Sequence, residues 1–415
     1  MVVNISNSGG YFGTVNKFNN VNAIETRVFY YLCGFALLMN FTIAGANIFL
    51  ALVTLGTLHR LWLKHDDVKE ILGKYRFILI AVAVYWGALL LSLIGADTAL
   101  KGFKRFFDFE IYRMMGFFAV LFCVHSKKRL YTVASFLLGG IFLNNIATVA
   151  MAVYQGEGAA SRISGFMGYM EQGTFLAVAC PVALVLIGEL SGRKRALMAV
   201  FLVLALLAFF INGTRGAWLA CLATVLLSLL FYIRGIAKKL GAIAVIFAVL
   251  TAIFVLNPTL MNRLESVGDT TNMRSNTERL LIWESSYKMF LDHPLTGVGF
   301  GGFDKAYHED GYMSPKAQEP WLNHAHSNIM QNLAEGGALG AITFGGMWLA
   351  LVLFALKEFK RTHKRGYIIF FAVTMALMLH GLTEYNIGSS AEAKFLWLTL
   401  ALALKDTELM GARYE

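Results

Sequence analysis

The sequence predicts an all-α polytopic integral membrane protein with about twelve transmembrane helices and one large helical loop outside the membrane. Three observations carry that prediction. Of 415 residues, 57% are hydrophobic and only 15% charged, and the mean hydropathy is +0.59. The apolar residues come in runs of roughly 17–22, the length a helix needs to cross a hydrocarbon core of about 30 Å. Within those runs Leu, Ala and Phe follow one another without the alternation of a membrane barrel, and lipid admits only helices and closed barrels.

In chain order, the Asn/Gly/Ser-rich residues 1–26 read as a loose cytoplasmic tail, with no cleavable signal peptide. Nine spans are expected within 27–256, near 27–43, 45–63, 77–95, 107–125, 130–154, 173–190, 196–211, 217–233 and 240–256. Residues 257–336 form the large loop. Three more spans follow in 337–404, near 337–356, 366–382 and 392–404, and 405–415 is a second cytoplasmic tail. The basic clusters KHDDVKEILGKYR (64–76), KKR (127–129), GRKR (192–195), RGIAKK (234–239) and KEFKRTHKR (357–365) occupy every second connection. By the positive-inside rule these face the cytoplasm, with both termini. The net charge of +10 therefore encodes topology, and nucleic acid is not an expected partner. Cys33, Cys123, Cys180 and Cys221 all fall in expected spans, with neither metal spacing nor a disulfide framework. No pair of segments repeats, so inverted-repeat transporter architecture has no support.

Two outer connections depart from the pattern. ADTALKGFKRFF (96–107) carries Lys101, Lys104 and Arg105 among Phe103, Phe106 and Phe107. It reads either as an interfacial segment touching anionic lipid headgroups or as a miscounted span. The connection 257–336 is about eighty residues long and must carry helices of its own. One is expected over SNTERLLIWESSYKMFLDHP (275–294), with Leu280, Leu281, Ile282, Tyr287, Phe290 and Leu291 on its apolar side and His293-Pro294 as its stop. This loop is acidic overall, so an arginine held near the membrane there needs a reason other than topology.

NGTRGAWLA (212–220) reads as a turn opening a helix near Ala217, with Arg215 beside the helix N-terminus. Arginine at a helix N-terminus is an anion site best suited to phosphate; the alternative is an arginine snorkelling to the interface. GVGFGGF (297–303) follows no strand and opens no βαβ unit, so it is a tight backbone passage rather than a dinucleotide fingerprint. The pair His324/His326 precedes an apolar run. As a metal site it lacks a third ligand at a recognisable spacing, whether His293, His308 or a carboxylate, so no metal and no cofactor is expected. A helix beginning near Ser327, capped by its hydroxyl, with Ile329, Leu333 and Leu339 on its buried side, would place His326 at the positive end of the dipole. A histidine there stays neutral and can accept a proton.

In this order, NGTRGAWLA, ERLLIW…DHPLTGVGFGGF and HAHSNIMQNLAEGGALG resemble the O-antigen ligase and polymerase superfamily of bacterial envelope glycosyltransferases, over roughly residues 160–385. The resemblance implies a GT-C-like, metal-independent enzyme of the bacterial inner membrane with its active site facing the periplasm. Its substrates would be undecaprenyl-diphosphate-linked O-antigen as donor and lipid A-core oligosaccharide as acceptor, both reached through membrane lipids. The chain length is closer to the ligase branch. The family arginines fall on Arg215 and on Arg279 of the Arg-x-x-x-Trp element ending at Trp283, and its histidine falls on His326. Many relatives read His-Asn where this chain has His326-Ser327. RISGFMGYMEQGTFLA (162–177) matches more loosely and adds Arg162.

The mechanism implied is inverting transfer. His326 acts as general base on the acceptor hydroxyl, His324 orients or binds the acceptor, and Arg215, Arg279 and Arg162 bind the donor diphosphate. An O-antigen polymerase, whose acceptor is a glycan still on its lipid carrier, has the same chemistry and stays open. A lipid-linked sugar transporter would need ionisable residues along the middle of its spans on both leaflets. This chain concentrates them on one face, apart from Asp108, Glu110 and Arg113.

Overall fold

The computed structural model describes residues 8–270 and 273–410, and no β-strand occurs among them. The chain runs through α1 (Ser8–Leu38), α2 (Ile43–Leu63), α3 (Val68–Lys74), α4 (Arg76–Leu91) and α5 (Ala99–Phe106). A π-helical stretch (Phe107–Tyr112) leads into α6 (Met115–Cys123), α7 (Lys127–Gln155), α8 (Tyr169–Glu189), α9 (Gly192–Asn212), α10 (Arg215–Tyr232) and α11 (Ile236–Leu256). Three helices, α12 (Pro258–Glu265), α13 (Arg274–Asp292) and α14 (Phe303–His308), lie in the long connection. They precede α15 (Asn328–Thr362), α16 (Arg365–His380) and α17 (Ser390–Leu409).

Seven of these helices, α2, α7, α8, α9, α10, α11 and α15, are long and apolar enough to cross a membrane. The pair α3–α4, bent by 86° at its junction, makes an eighth if it counts as one span. The protein is thus an all-helical, polytopic membrane protein. The remaining expected spans are helical but weaker by this test. At 16 residues α16 is about 24 Å long. The stretch 107–123 is divided between the π-helical segment and α6, and α17 buries Glu392, Lys394, Lys405 and Asp406.

Both expected tails need correction. From Ser8 the first is part of α1, where Val21 and Ile24 are buried and Glu25 pairs with Arg60 at 3.2 Å. The second continues α17 to Leu409, because Asp406 is held by Arg365 at 3.0 Å. Residues 1–7 and 411–415 of those tails lie outside the described residues.

The expected apolar side of α13 is fully buried only at Ile282. Leu280, Tyr287 and Leu291 are exposed, whereas Ile282, Ser285, Ser286 and Met289 are buried. Those four fall at i, i+3, i+4 and i+7, a single helical stripe. They face a small separate core of Phe303, Ala306, Tyr307, Ala325 and Ala334 beneath the long connection. A similar inversion holds at the start of α15, where Asn328, Gln331, Asn332 and Glu335 are buried and Ile329 and Leu339 exposed. In a membrane protein the polar side packs inward and the apolar side is left for lipid.

Gly337 breaks α15, with φ 58° and ψ −152°. The cause is the passage 294–298 laid against it: Ala338 N–H donates to Pro294 O at 2.9 Å, Leu339 N–H to Leu295 O at 3.2 Å, and Val298 N–H to Ala334 O at 2.9 Å. The inserted segment supplies partners that the interrupted helical ladder gives up. A side chain at Gly297 would meet Ala334 O at 2.2 Å, and one at Gly337 the Leu295 carbonyl carbon at 2.5 Å. This close packing fixes the short N-terminal arm of α15, residues 328–336.

The basic segment 96–107 becomes α5. Phe103 and Phe107 stay exposed, but Phe106 is buried. Arg105 turns inward, 4.3 Å from the Phe109 ring and 4.0 Å from Glu335, which does not suit the headgroup-contact alternative for this residue.

Candidate active site

Helix α9 ends at Asn212 and α10 begins at Arg215, so the turn is only Gly213 and Thr214. Gly213 takes the left-handed conformation (φ 67°), and a side chain there would meet Ala160 Cα at 2.8 Å. Arg215 is therefore the first helical residue, two positions earlier than expected. Its Nη1 donates to Ser266 Oγ at 2.8 Å and to the Ser266 carbonyl. Its Nη2 donates to Asn276 Oδ1 at 3.0 Å and Ser275 Oγ at 3.3 Å. Every one of these partners is neutral.

Arg215 lines a cavity of about 190 Å³ together with Arg162, Arg263, Arg279 and His326. The four donor-site and base residues expected from sequence thus share one cavity, and Arg263 joins them. No carboxylate lies within ion-pair distance of Arg162, Arg215 or Arg263 among the described residues. Arg263 Nε donates only to Gly213 O, at 3.2 Å. Burial, with the charges of Arg162 and Arg215 behind it, pushes the Arg263 guanidinium down to about 10. It stays charged at neutral pH, yet an anion in the cavity would relieve it.

His326 lies in the irregular segment before α15, with φ 46°, and Arg162 has φ 59°. Among the described residues, four non-glycine positions take this costly left-handed conformation, and two of them are site residues. The segment is pinned on both sides. Trp283 Nε1 donates to Ala325 O at 2.8 Å, and Ala325 N–H to Gln331 Oε1 at 2.7 Å. Ser327 caps α15 as expected, accepting from Met330 N–H at 3.4 Å. Asn328 N–H donates to Gly381 O and its Nδ2 to Asn386 Oδ1, both at 2.7 Å.

Those last bonds bring the connection 381–389 under the histidines, and with it Glu384. His326 Nδ1 lies 3.1 Å from Glu384 Oε1, His324 Nε2 is 3.7 Å from the same oxygen, and Arg279 Nη2 is 3.5 Å from Oε2. Burial opposes the charge of Glu384. The hydrogen bonds of His324 and His326 and the nearby Arg279 outweigh it and hold the carboxyl well below its usual range. An ionised carboxylate only accepts, so the proton of a neutral His326 sits on Nδ1 and the lone pair on Nε2. His324 stands beside it, ring centroids 4.2 Å apart, with its Nδ1 2.8 Å from Asn323 Oδ1.

Sequence reasoning found no third partner for the histidine pair, and Glu384 is that partner. Its donor atoms and those of His324 and His326 lie within 4.8 Å of one another, close enough for a metal ion. Arg279 beside the carboxylate already supplies a cation there, which disfavours a second. His380 also went unread. It lines the cavity, with Nδ1 2.7 Å from Thr174 Oγ1, which also bonds Glu392. The signal was present in HGLTEYN (380–386), where ionisable residues close an apolar run.

No curated protein matches the chain. A family model described as O-antigen ligase matches residues 200–345, a segment that contains Arg215, Arg263, Arg279, His324 and His326. Over that segment, 146 of the 415 residues, the chain is similar to the O-antigen ligase family.

Proposed function

We propose that the protein is an O-antigen ligase. It would transfer a glycan from undecaprenyl diphosphate to a sugar hydroxyl of lipid A-core at the periplasmic face of the bacterial inner membrane, in lipopolysaccharide biosynthesis. The observation that carries this reading is the convergence of Arg162, Arg215, Arg279 and His326 on one cavity whose arginines are largely without carboxylate partners. A diphosphate supplies the missing negative charge, and the planar guanidinium fork suits its oxygens.

In the transfer, the acceptor hydroxyl gives its proton to His326 Nε2 as its oxygen bonds to the anomeric carbon. The bond from that carbon to the diphosphate oxygen breaks, and the electron pair leaves with the lipid diphosphate. Attack opposite the leaving group inverts the anomeric centre. Base assistance of this kind contributes about 10²–10⁴ in rate, and arginines stabilise the charge that grows on the leaving group. His324 orients the acceptor.

Reconstitution in liposomes with a defined undecaprenyl-diphosphate glycan tests the reading. Extension of lipid A-core supports a ligase. Extension of a second lipid-linked glycan instead identifies a polymerase, and transfer to neither removes the proposal.

A further inference from the structure

Glu384 lies outside the residues that match the family model. Its position is over-determined. Oε1 accepts from Tyr385 N–H at 3.2 Å as well as facing His326, while Oε2 faces Arg279. The side chain is 7% exposed. A carboxylate so enclosed is costly unless each lone pair is used, and here the users are the base and one arm of the diphosphate site.

We propose that Glu384 is a positioning residue: one carboxylate oxygen locks His326 in the Nδ1–H tautomer, the other holds Arg279, and base and diphosphate arm are thereby kept in one register. The proposal rests on the reading of His326 as general base. It parallels the way a buried carboxylate orients a catalytic imidazole in hydrolases, where its amide replacement leaves the geometry intact and lowers turnover through the wrong tautomer. The groups facing Glu384 are His324 and His326 from the segment before α15, Arg279 from α13 and its neighbour Tyr385. His380 of α16 and Glu392 of α17 act from farther away.

Glu384→Gln keeps size and hydrogen-bonding capacity, and Glu384→Asp keeps the charge. In liposomes with lipid-linked donor and lipid A-core, Glu384→Gln should lower kcat on the order of 10²–10⁴ while changing the KM for donor far less. Its acid limb should move to lower pH, because a carboxylate beside an imidazole favours the protonated ring and an amide does not. Glu384→Asp should recover part of the rate and the position of the limb. Ring ¹⁵N signals of His326 give a second readout that needs no turnover: Nδ1–H in the wild type, and loss of that preference in Glu384→Gln. Wild-type turnover in Glu384→Gln, or a lowered rate with an unmoved acid limb, would overturn the proposal. So would an unchanged tautomer, or zinc that binds both histidines and raises the rate. If the wild type transfers to no acceptor, the general-base reading falls, whereas the ¹⁵N result still decides whether Glu384 sets the tautomer.

Discussion

Arg60 and Arg215 are both buried arginines at the ends of apolar helices, and their surroundings are opposite. Arg60, fully buried, meets Asp67 through two hydrogen bonds, at 2.5 and 2.7 Å, and Glu25 at 3.2 Å. The same end of the bundle ties Arg365 to Asp406 and Lys74 to Glu408. Arg215 meets two serines and an asparagine, with Arg162, Arg263 and Arg279 around the same cavity. A charge closed off by carboxylates is structural, because its partners are already in place. One held only by neutral oxygens is oriented but not neutralised, and keeps its electrostatic attraction for a ligand. Arg279 is intermediate: it shares Glu384 with His326, yet its buried Nε has no partner.

That contrast predicts that mutations at the cavity cost chemistry and mutations at the other end cost stability. The largest effect is expected for His326→Ala, which should lose about 10²–10⁴ in transfer rate and keep its folding and donor binding. Single-turnover kinetics beside a donor-binding assay would show the split. The rate should fall on the acid side as the imidazole protonates, and that limb should vanish from the residual activity of His326→Ala. His324→Ala should be milder, raising the acceptor concentration required. If His324→Ala abolishes transfer and His326→Ala spares it, the two roles are exchanged.

Next in size is Arg60→Ala, which leaves the buried Glu25 carboxylate to His125, 3.3 Å away, and should cost about 3–5 kcal/mol of stability. Thermal unfolding in detergent measures it, and the protein that stays folded should bind donor normally. Loss of donor binding in that folded fraction would break the contrast between the two ends. Arg215→Lys and Arg279→Ala should each weaken donor binding by about 1.5–3 kcal/mol with the fold intact, the first because a point charge does not reproduce a two-pronged contact, the second because the charged contact is removed. The smallest effect is expected from EDTA: transfer should continue unchanged. Activity lost to the chelator and restored by zinc or magnesium would instead make His324, His326 and Glu384 a metal centre.

The same contrast marks what was legible in the sequence. Helical membrane architecture was, because lipid leaves the backbone few options and the apolar runs state their own length. The candidates Arg215, Arg279 and His326, which line one cavity, could be singled out from a helix start, from the family resemblance at the Arg-x-x-x-Trp element and from a histidine pair. The buried faces of α13 and of the start of α15 were not. Apolar periodicity in a membrane protein marks the lipid side as readily as the core, and Leu280 and Ile329 point outward. Glu384 was not, because it reaches His326 across 58 residues through the pairing of Asn328 with Gly381 and Asn386. Arg263 was not, since nothing local distinguishes it from the paired Arg274.

Most rests on the proposal that this cavity holds a lipid diphosphate for His326 to complete the transfer. Its most direct test is a liposome assay of wild type and His326→Ala, with one defined undecaprenyl-diphosphate glycan, lipid A-core, and donor binding measured in the same preparations. Both should bind donor equally, and only the wild type should extend lipid A-core, with inversion at the transferred anomeric carbon. Equal extension by both proteins, or retention at that carbon, would contradict it.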